Sequence, residues 1–330
     1  MAVYTQLGAE TLAEIIAEFD VGTLISAKGI AEGVSNSNWL IETESPDGEV
    51  TLFILTMYEQ RTDLSDLPFF LGLLDYLAEN GCPVPRTIHD RDNKPFRFHE
   101  NKALALIEFL PGISVTHPTP AQVHAVGSAL AQIHRAAAGF GESRANGLGL
   151  SGWRALADEC GADGLAAIDP GLAGFVEREL AFLEEHWPAD LPRSVIHADL
   201  FPDNVLMLGD KVSGLIDFYF ACTDITAYDV AVTHAAWCFS SDGASFDPAL
   251  SRALLSGYED LRPLSEKERA ALPILGRGAS MRFLMTRAYD WMNTPADAMV
   301  TRKDPMAFAR RLEFYSDPVN AVCFNHDDNS

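Results

Sequence analysis

Nothing in this chain approaches the about 18 consecutive apolar residues that a membrane-spanning helix requires. Its first residues, MAVYTQLGAETLAEII, set no basic stretch ahead of an apolar core, so neither a membrane span nor a secretory leader is expected. Cysteine is scarce. The five residues Cys82, Cys160, Cys222, Cys238 and Cys323 are odd in number and form no CxxC pair, which reads as reduced thiols in a cytoplasmic protein and not as a disulfide framework. Positive charge is also short, with 24 Lys and Arg against 47 Asp and Glu, a net charge of −23. Such a balance argues against nucleic acid or an anionic membrane as partner. Any polyanionic ligand must then be held by a local metal ion and backbone N–H groups, against the overall field. Internal repeats and low-complexity tracts are missing too. What remains is an ordinary globular composition, 48% hydrophobic and 22% charged, and 330 residues predict a two-lobed body with a large core.

The chain is organised around residues 194–217, SVIHADLFPDNVLMLGDKVSGLID. Three short apolar runs separated by turn residues predict strands, which places His197, Asp199, Asn204 and Asp217 on loops at strand ends. Phosphoryl transfer needs a carboxylate to accept the proton of an attacking hydroxyl, and oxygen ligands to hold Mg²⁺ against nucleotide phosphates. Kinases take the first from a catalytic-loop Asp, the second from an Asn five residues later and an Asp preceding an aromatic residue. Asp199, Asn204 and Asp217-Phe218 meet all three requirements. Ala198 stands where protein kinases carry Arg. His197 is grouped with Asp199 at the catalytic loop, where it is expected to brace the backbone.

HADLFPDNV followed by LIDF resembles the catalytic and metal-binding segments of the aminoglycoside phosphotransferase and choline kinase superfamily. EHWPADLP, IDFYFACTDITAYDVAV, GIAEGVSNSNWLIET, DLPFFLGLLDYLAENG, FLPGISV, RGASMRFLMTRAYDWMNTP and the KDP-containing tail are similar to one branch, the kinase-fold homoserine kinases of threonine biosynthesis. The resemblance implies an α+β, protein-kinase-like fold with a small β-rich N-lobe (1–110) and a larger helical C-lobe (111–330). It also implies ATP- and Mg²⁺-dependent phosphorylation of the L-homoserine hydroxyl. Taken alone, the loop motifs leave open another amino alcohol, an aminoglycoside or a sugar as acceptor, or a non-catalytic nucleotide-binding pseudokinase.

Within the N-lobe, the pattern predicts a helix over 8–19 and strands over 24–30, 38–43 and 49–58, the last two joined by a turn at Pro46-Asp47-Gly48. Residues 32–38 stand where kinases cover the phosphates. Only Gly33 survives of a glycine-rich form, so Ser35, Asn36, Ser37 and Asn38 are the expected phosphate donors, with a plain hairpin loop as the alternative. Thr56 occupies the place of the strand Lys. Arg61 is the preferred replacement cation and Lys28 the other candidate. A helix over 66–80 should be capped by Asp66 and carry Asp75 at the surface. The strand over 102–110 brings Glu108, Phe109 and Leu110 to the expected adenine-binding hinge, closed by Pro111-Gly112.

Beyond the hinge, helices are expected over 120–138, 170–187, 247–258, 265–293 and 304–315, with residues 140–152 a surface loop. His134 is expected near a helix C-terminus. Asp229 is expected to brace the catalytic loop by capping a helix. The helix over 265–293 should break at Pro273 or at the Gly276-Gly278 pair. It places Arg282, Thr286, Tyr289, Asp290 and Asn293 on one polar face, and Arg282, Tyr289 and Asp290 are the candidate contacts for a zwitterionic acceptor.

Overall fold

One hairpin seeds the sheet of the N-terminal part of the chain. In β2 (Asn36–Glu44) and β3 (Val50–Tyr58), apolar residues alternate so that Trp39, Ile41, Phe53, Leu55 and Met57 share one buried face. Pairing runs from Asn36 opposite Tyr58 to Glu44 opposite Val50. Gly48 closes the turn at φ 86°, where a side chain would be strained, and its amide donates to Ser45 O at 3.0 Å. The computed structural model describes residues 7–30, 36–59, 63–294 and 302–324. It divides the chain into two compact units, Met1–Pro111 and Gly112–Ser330.

In the first unit, α1 (Ala9–Ala17) and β1 (Thr23–Ile30) precede the hairpin, and α2 (Leu67–Glu79), β4 (Thr87–Ile88), β5 (Arg97–His99) and β6 (Lys102–Glu108) follow it. The strands form an antiparallel sheet in the order β1-β2-β3-β6-β4, with β5 also paired to β6. Leu12, Ile15 and Ile16 of α1, with Phe19 just beyond it, join the buried sheet face to make one core. Full burial of such side chains stabilises by roughly 1.5–3 kcal/mol each.

Two local expectations fail here for definable reasons. A 3₁₀ turn, Leu64–Asp66, precedes α2, so the capping oxygen belongs to Asp63, which accepts Ser65 N at 3.0 Å, and Asp66 makes no capping bond. Asp75 is only partly exposed, at 26%, and is not free at the surface. Its two oxygens take Thr87 N at 3.1 Å and His89 Nε2 at 2.7 Å, tying α2 to β4.

The second unit comprises α3 (Pro120–Ala137), α4 (Leu150–Ile168), α5 (Leu172–His186), β7 (Arg193–Ile196), β8 (Val205–Leu208), β9 (Lys211–Leu215), β10 (Cys222–Ile225), α6 (Thr226–Trp237), α7 (Pro248–Glu259), α8 (Glu266–Asn293) and α9 (Met306–Ser316). Helices α3 and α7 touch backbone to backbone. A Cβ added at Gly127 would lie 2.2 Å from Leu254 O, and one at Gly257 2.0 Å from His124 O. Helix α4 starts inside the expected surface loop. Buried Trp153 anchors it, and Gly161, at φ 66°, interrupts it.

Helix α8 runs unbroken through Pro273 and both glycines. A mid-helix proline costs about 3 kcal/mol. Burial of Leu272, Leu275, Met281, Leu284 and Met285 along the same helix offsets that cost. Among the described residues, no helix is long and apolar enough to cross a membrane.

Candidate active site

Strand β7 pairs with β10, Ile196 opposite Cys222, and delivers the chain into the loop at 197–201. The 3₁₀ turn Pro202–Asn204 then leads into the β8–β9 hairpin, which returns the chain to Asp217. One backbone bond closes this circuit. Ile216 N donates to Asn204 O at 3.0 Å, so Asp217 follows directly on the residue tied to Asn204.

Two non-glycine residues of the circuit are left-handed, Ala198 at φ 63° and Asp217 at φ 65°. That conformation costs on the order of 1–2 kcal/mol and persists only where surroundings enforce it. Around Ala198 they do. Asp229, fully buried, accepts the amides of His197 and Ala198 on its two oxygens, each at 2.7 Å. Buried His134 places Nε2 3.0 Å from Asp229 Oδ2 and Nδ1 2.7 Å from Tyr258 Oη. Burial alone would raise the Asp229 pKa, yet hydrogen bonds from His134 and the loop hold it below the usual carboxylate range. His134 does lie in the last turn of α3, as expected, but its ring is turned to the interior. Asp229 braces the loop from within the first turn of α6, not by capping that helix.

Burial pushes the His197 pKa below the usual imidazole range and leaves the ring neutral. Its Nε2–H donates to Ile216 O at 3.0 Å and its Nδ1 accepts Asp199 N at 3.2 Å, so both ring nitrogens are committed to backbone. Trp237 Nε1 holds Leu200 O at 2.8 Å.

The Asp199 side chain keeps 17% exposure. Asn204 Nδ2 donates to Asp199 O at 2.7 Å and to Asp199 Oδ2 at 3.2 Å. Burial pushes the Asp199 pKa up to about 7. The Arg282 guanidinium opposes that rise, and the carboxylates of Asp217 and Asp203 add to it. Asp217 is open to solvent but crowded by protein. Its partial desolvation and Asp203 push it up to about 6, against the Tyr219 amide and Lys303.

These oxygens fit a magnesium ion. The Asn204 amide nitrogen is spent on Asp199, and among the described residues its Oδ1 takes no hydrogen bond, which leaves that oxygen for a cation. Among the described residues, no group of three or more His, Cys, Asp or Glu could hold a metal by itself. One carboxylate and one amide oxygen, with substrate phosphates completing the shell, is how Mg²⁺ is commonly held.

The other sequence-predicted residues are distributed differently. Ser35 and Arg61 lie outside the described residues. Asn36 and Ser37 are buried and turned to Glu59. Ser37 Oγ donates to Glu59 Oε1 at 2.7 Å, and Asn36 Oδ1 accepts Glu59 N at 3.4 Å. Lys102 Nζ meets the other Glu59 oxygen at 2.5 Å, a pair with no signal in the sequence because its members are 43 residues apart. Asn38 Oδ1 accepts Thr56 Oγ1 at 2.8 Å, and Lys28 is exposed on β1. The Glu108 amide already donates to Arg86 O at 2.9 Å, while Phe109 and Leu110 lie beyond the last paired residue of β6. On α8, Arg282 is 2% exposed and bonds to the catalytic loop, whereas Tyr289 is half-buried and Asp290 exposed. The five residues do fall within an arc of about 100° round α8, but burial changes along the helix, from buried Arg282 to exposed Asp290 and Asn293.

The model of the phosphotransferase enzyme family matches residues 26–264. The chain belongs to that family. It is 50% identical over 315 residues to a homoserine kinase of Azorhizobium caulinodans, with 96% of each chain covered. A homoserine kinase of Gluconacetobacter diazotrophicus is 50% identical over 317 residues, covering 96% of this chain and 97% of that protein. One from Gluconobacter oxydans is 49% identical over 317 residues, covering 96% and 98%. Among solved structures, the fold is similar to an amicoumacin kinase in complex with AMP-PNP and Ca²⁺, with TM-score 0.69, 14% identity and 94% of both chains covered. It is also similar to a spectinomycin phosphotransferase in complex with ADP, with TM-score 0.67, 16% identity and 98% and 99% covered. The α+β, kinase-like architecture expected from the sequence is borne out.

Proposed function

We propose that this protein is a homoserine kinase, transferring the γ-phosphoryl group of ATP to the side-chain hydroxyl of L-homoserine to give O-phospho-L-homoserine and ADP. One geometric observation carries the chemistry: Asp199, Asn204 and Asp217 are joined through Asn204, whose amide nitrogen holds Asp199 and whose carbonyl holds the residue before Asp217. Likeness at half identity over nearly the whole chain to curated homoserine kinases supports the acceptor.

In this reading the Asp199 carboxylate orients the acceptor hydroxyl in line with the γ-phosphorus. As the new O–P bond forms, the bond from phosphorus to the β,γ-bridging oxygen breaks, ADP leaves with that electron pair, and the hydroxyl proton passes to Asp199. The transition state is loose, so positioning matters more than base strength. Asn204 Oδ1 and the Asp217 carboxylate would hold Mg²⁺, which when bound neutralises phosphate charge in a chain that carries −23. No covalent enzyme intermediate is required. Residues 1–110 bind the nucleotide, with backbone groups of Phe109 and Leu110 toward the adenine, and residues 111–330 supply the catalytic loop and acceptor pocket. The free cysteines, four of them buried, support a cytoplasmic setting.

An acceptor panel tests this. With ATP and Mg²⁺, L-homoserine is expected to release ADP and yield O-phosphohomoserine by ³¹P NMR, while choline and an aminoglycoside yield nothing. Transfer to either of those with none to homoserine overturns the acceptor. Transfer to no alcohol at all overturns the enzyme.

A further inference from the structure

We infer that Arg282 is the positioning residue of the catalytic carboxylate: it grips the Ala198 carbonyl while Asp229 holds the adjoining amides, and so fixes where Asp199 points. The inference rests on the phosphotransferase reading of Asp199 and deepens it.

A guanidinium buried to 2% exposure pays several kcal/mol in lost hydration. Elsewhere on α8 that cost is met by close pairing. Arg277 donates twice to Glu179, at 2.7 and 3.0 Å, and its guanidinium lies 3.5 Å from the Phe182 ring centroid. Arg282 has no such arrangement. Among the described residues its nearest carboxylate oxygen, Asp199 Oδ1, is 3.9 Å away, and its buried Nε has no hydrogen-bond partner. An apolar side chain in its place would relieve that burial but leave the buried Ala198 carbonyl without its donor. Its strong contact is functional in location, since Nη1 donates to the carbonyl of left-handed Ala198. The rings of Phe283, at 4.6 Å, and Phe220, at 5.3 Å, flank the cation and hold it in place. Phe283 in turn packs on Phe201 of the catalytic loop, with ring centroids 4.7 Å apart.

The 3.9 Å gap has a chemical consequence. Asp199 Oδ2 is occupied by Asn204, while Oδ1 faces Arg282 without being bonded by it. Oδ1 is therefore the oxygen open to an acceptor hydroxyl. A close, bidentate arginine would have consumed it. Where protein kinases carry Arg inside the loop, this chain has Ala198, and the cation arrives from α8, 84 residues later.

Arg282→Met and Arg282→Lys, with steady-state kinetics for both substrates, test the inference. Arg282→Met should lower kcat by about 10²-fold through misplacement of the carboxylate, with both KM values within about twofold. Arg282→Lys should recover about tenfold of that loss, because an ammonium can reach the carbonyl without the planar fork. In an Asp199→Asn background, Arg282→Met should cost less than about twofold more, since the residue acts through Asp199. Unchanged kcat in a folded Arg282→Met protein overturns the inference. A raised KM for homoserine at constant kcat also does, by assigning Arg282 to the acceptor carboxylate. Fully additive losses in the Asp199→Asn background do the same, and Arg282→Lys supplies that comparison if Arg282→Met does not fold. Wild-type protein that phosphorylates a different alcohol would defeat the homoserine assignment and leave this test intact with that alcohol.

Discussion

The two oxygens of Asp229 receive the backbone amides of His197 and Ala198, each at 2.7 Å, from 32 and 31 residues further along the chain. A buried carboxylate that also meets His134 cannot shift without orphaning several polar groups at once. The loop at 197–201 is thus shaped by the protein's own contacts, and in the proposed mechanism Asp199 inherits its position from a fully buried carboxylate.

Asp229→Asn removes one of the two acceptors and points an amide N–H₂ at a backbone N–H. Stability should fall by about 3 kcal/mol by urea unfolding, with kcat lowered more than about tenfold. A variant as stable as wild type would show that the loop holds its left-handed turn without this brace.

Asn204→Ala deletes both the amide that holds Asp199 and the oxygen offered to the metal. At fixed ATP, the Mg²⁺ concentration giving half-maximal rate should rise by about tenfold or more. If kcat falls while the Mg²⁺ dependence stays in place, Asn204 only positions Asp199.

His234 gives a pH signature of the fold alone. It is fully buried between Tyr315 Oη, at 2.6 Å, and Ser251 Oγ, at 2.8 Å, and burial depresses its pKa from 6.5 to about 3. Above pH 6.5 both folded and unfolded states are neutral, and its contribution is fully present. As pH falls below that value the unfolded chain takes a proton that the folded chain refuses, and stability is lost toward pH 3 at up to about 1.4 kcal/mol per pH unit. Urea midpoints of wild type and His234→Gln, compared from about pH 7 to about pH 5, should converge as pH falls. Parallel curves would mean that His234 is protonated in the folded state.

Much of this was legible because its signals are local. His197, Asp199, Asn204 and Asp217 lie within one strand-loop-hairpin passage, and the alternation in β2 and β3 marks their buried face directly. Helix α4 was hidden by its glycines and by a sparse interior side, Trp153, Cys160 and Leu165. Long-range polar contacts left no trace in spacing. His134 reaches Asp229 across 95 residues, Arg282 reaches Ala198 across 84, and Glu59 pairs with Lys102 across 43. His134 read as a helix-end group and Arg282 as an acceptor contact until the fold set each beside its partner.

The central claim is that Asp199 directs the acceptor hydroxyl onto the γ-phosphorus of ATP. Its most direct test compares O-phosphohomoserine formation by wild type and Asp199→Asn, alongside ATP binding by calorimetry. The account predicts a fall in kcat of about 10²–10⁴-fold with ATP affinity within about twofold. An Asp199→Asn enzyme that forms the product at close to the wild-type rate would contradict it.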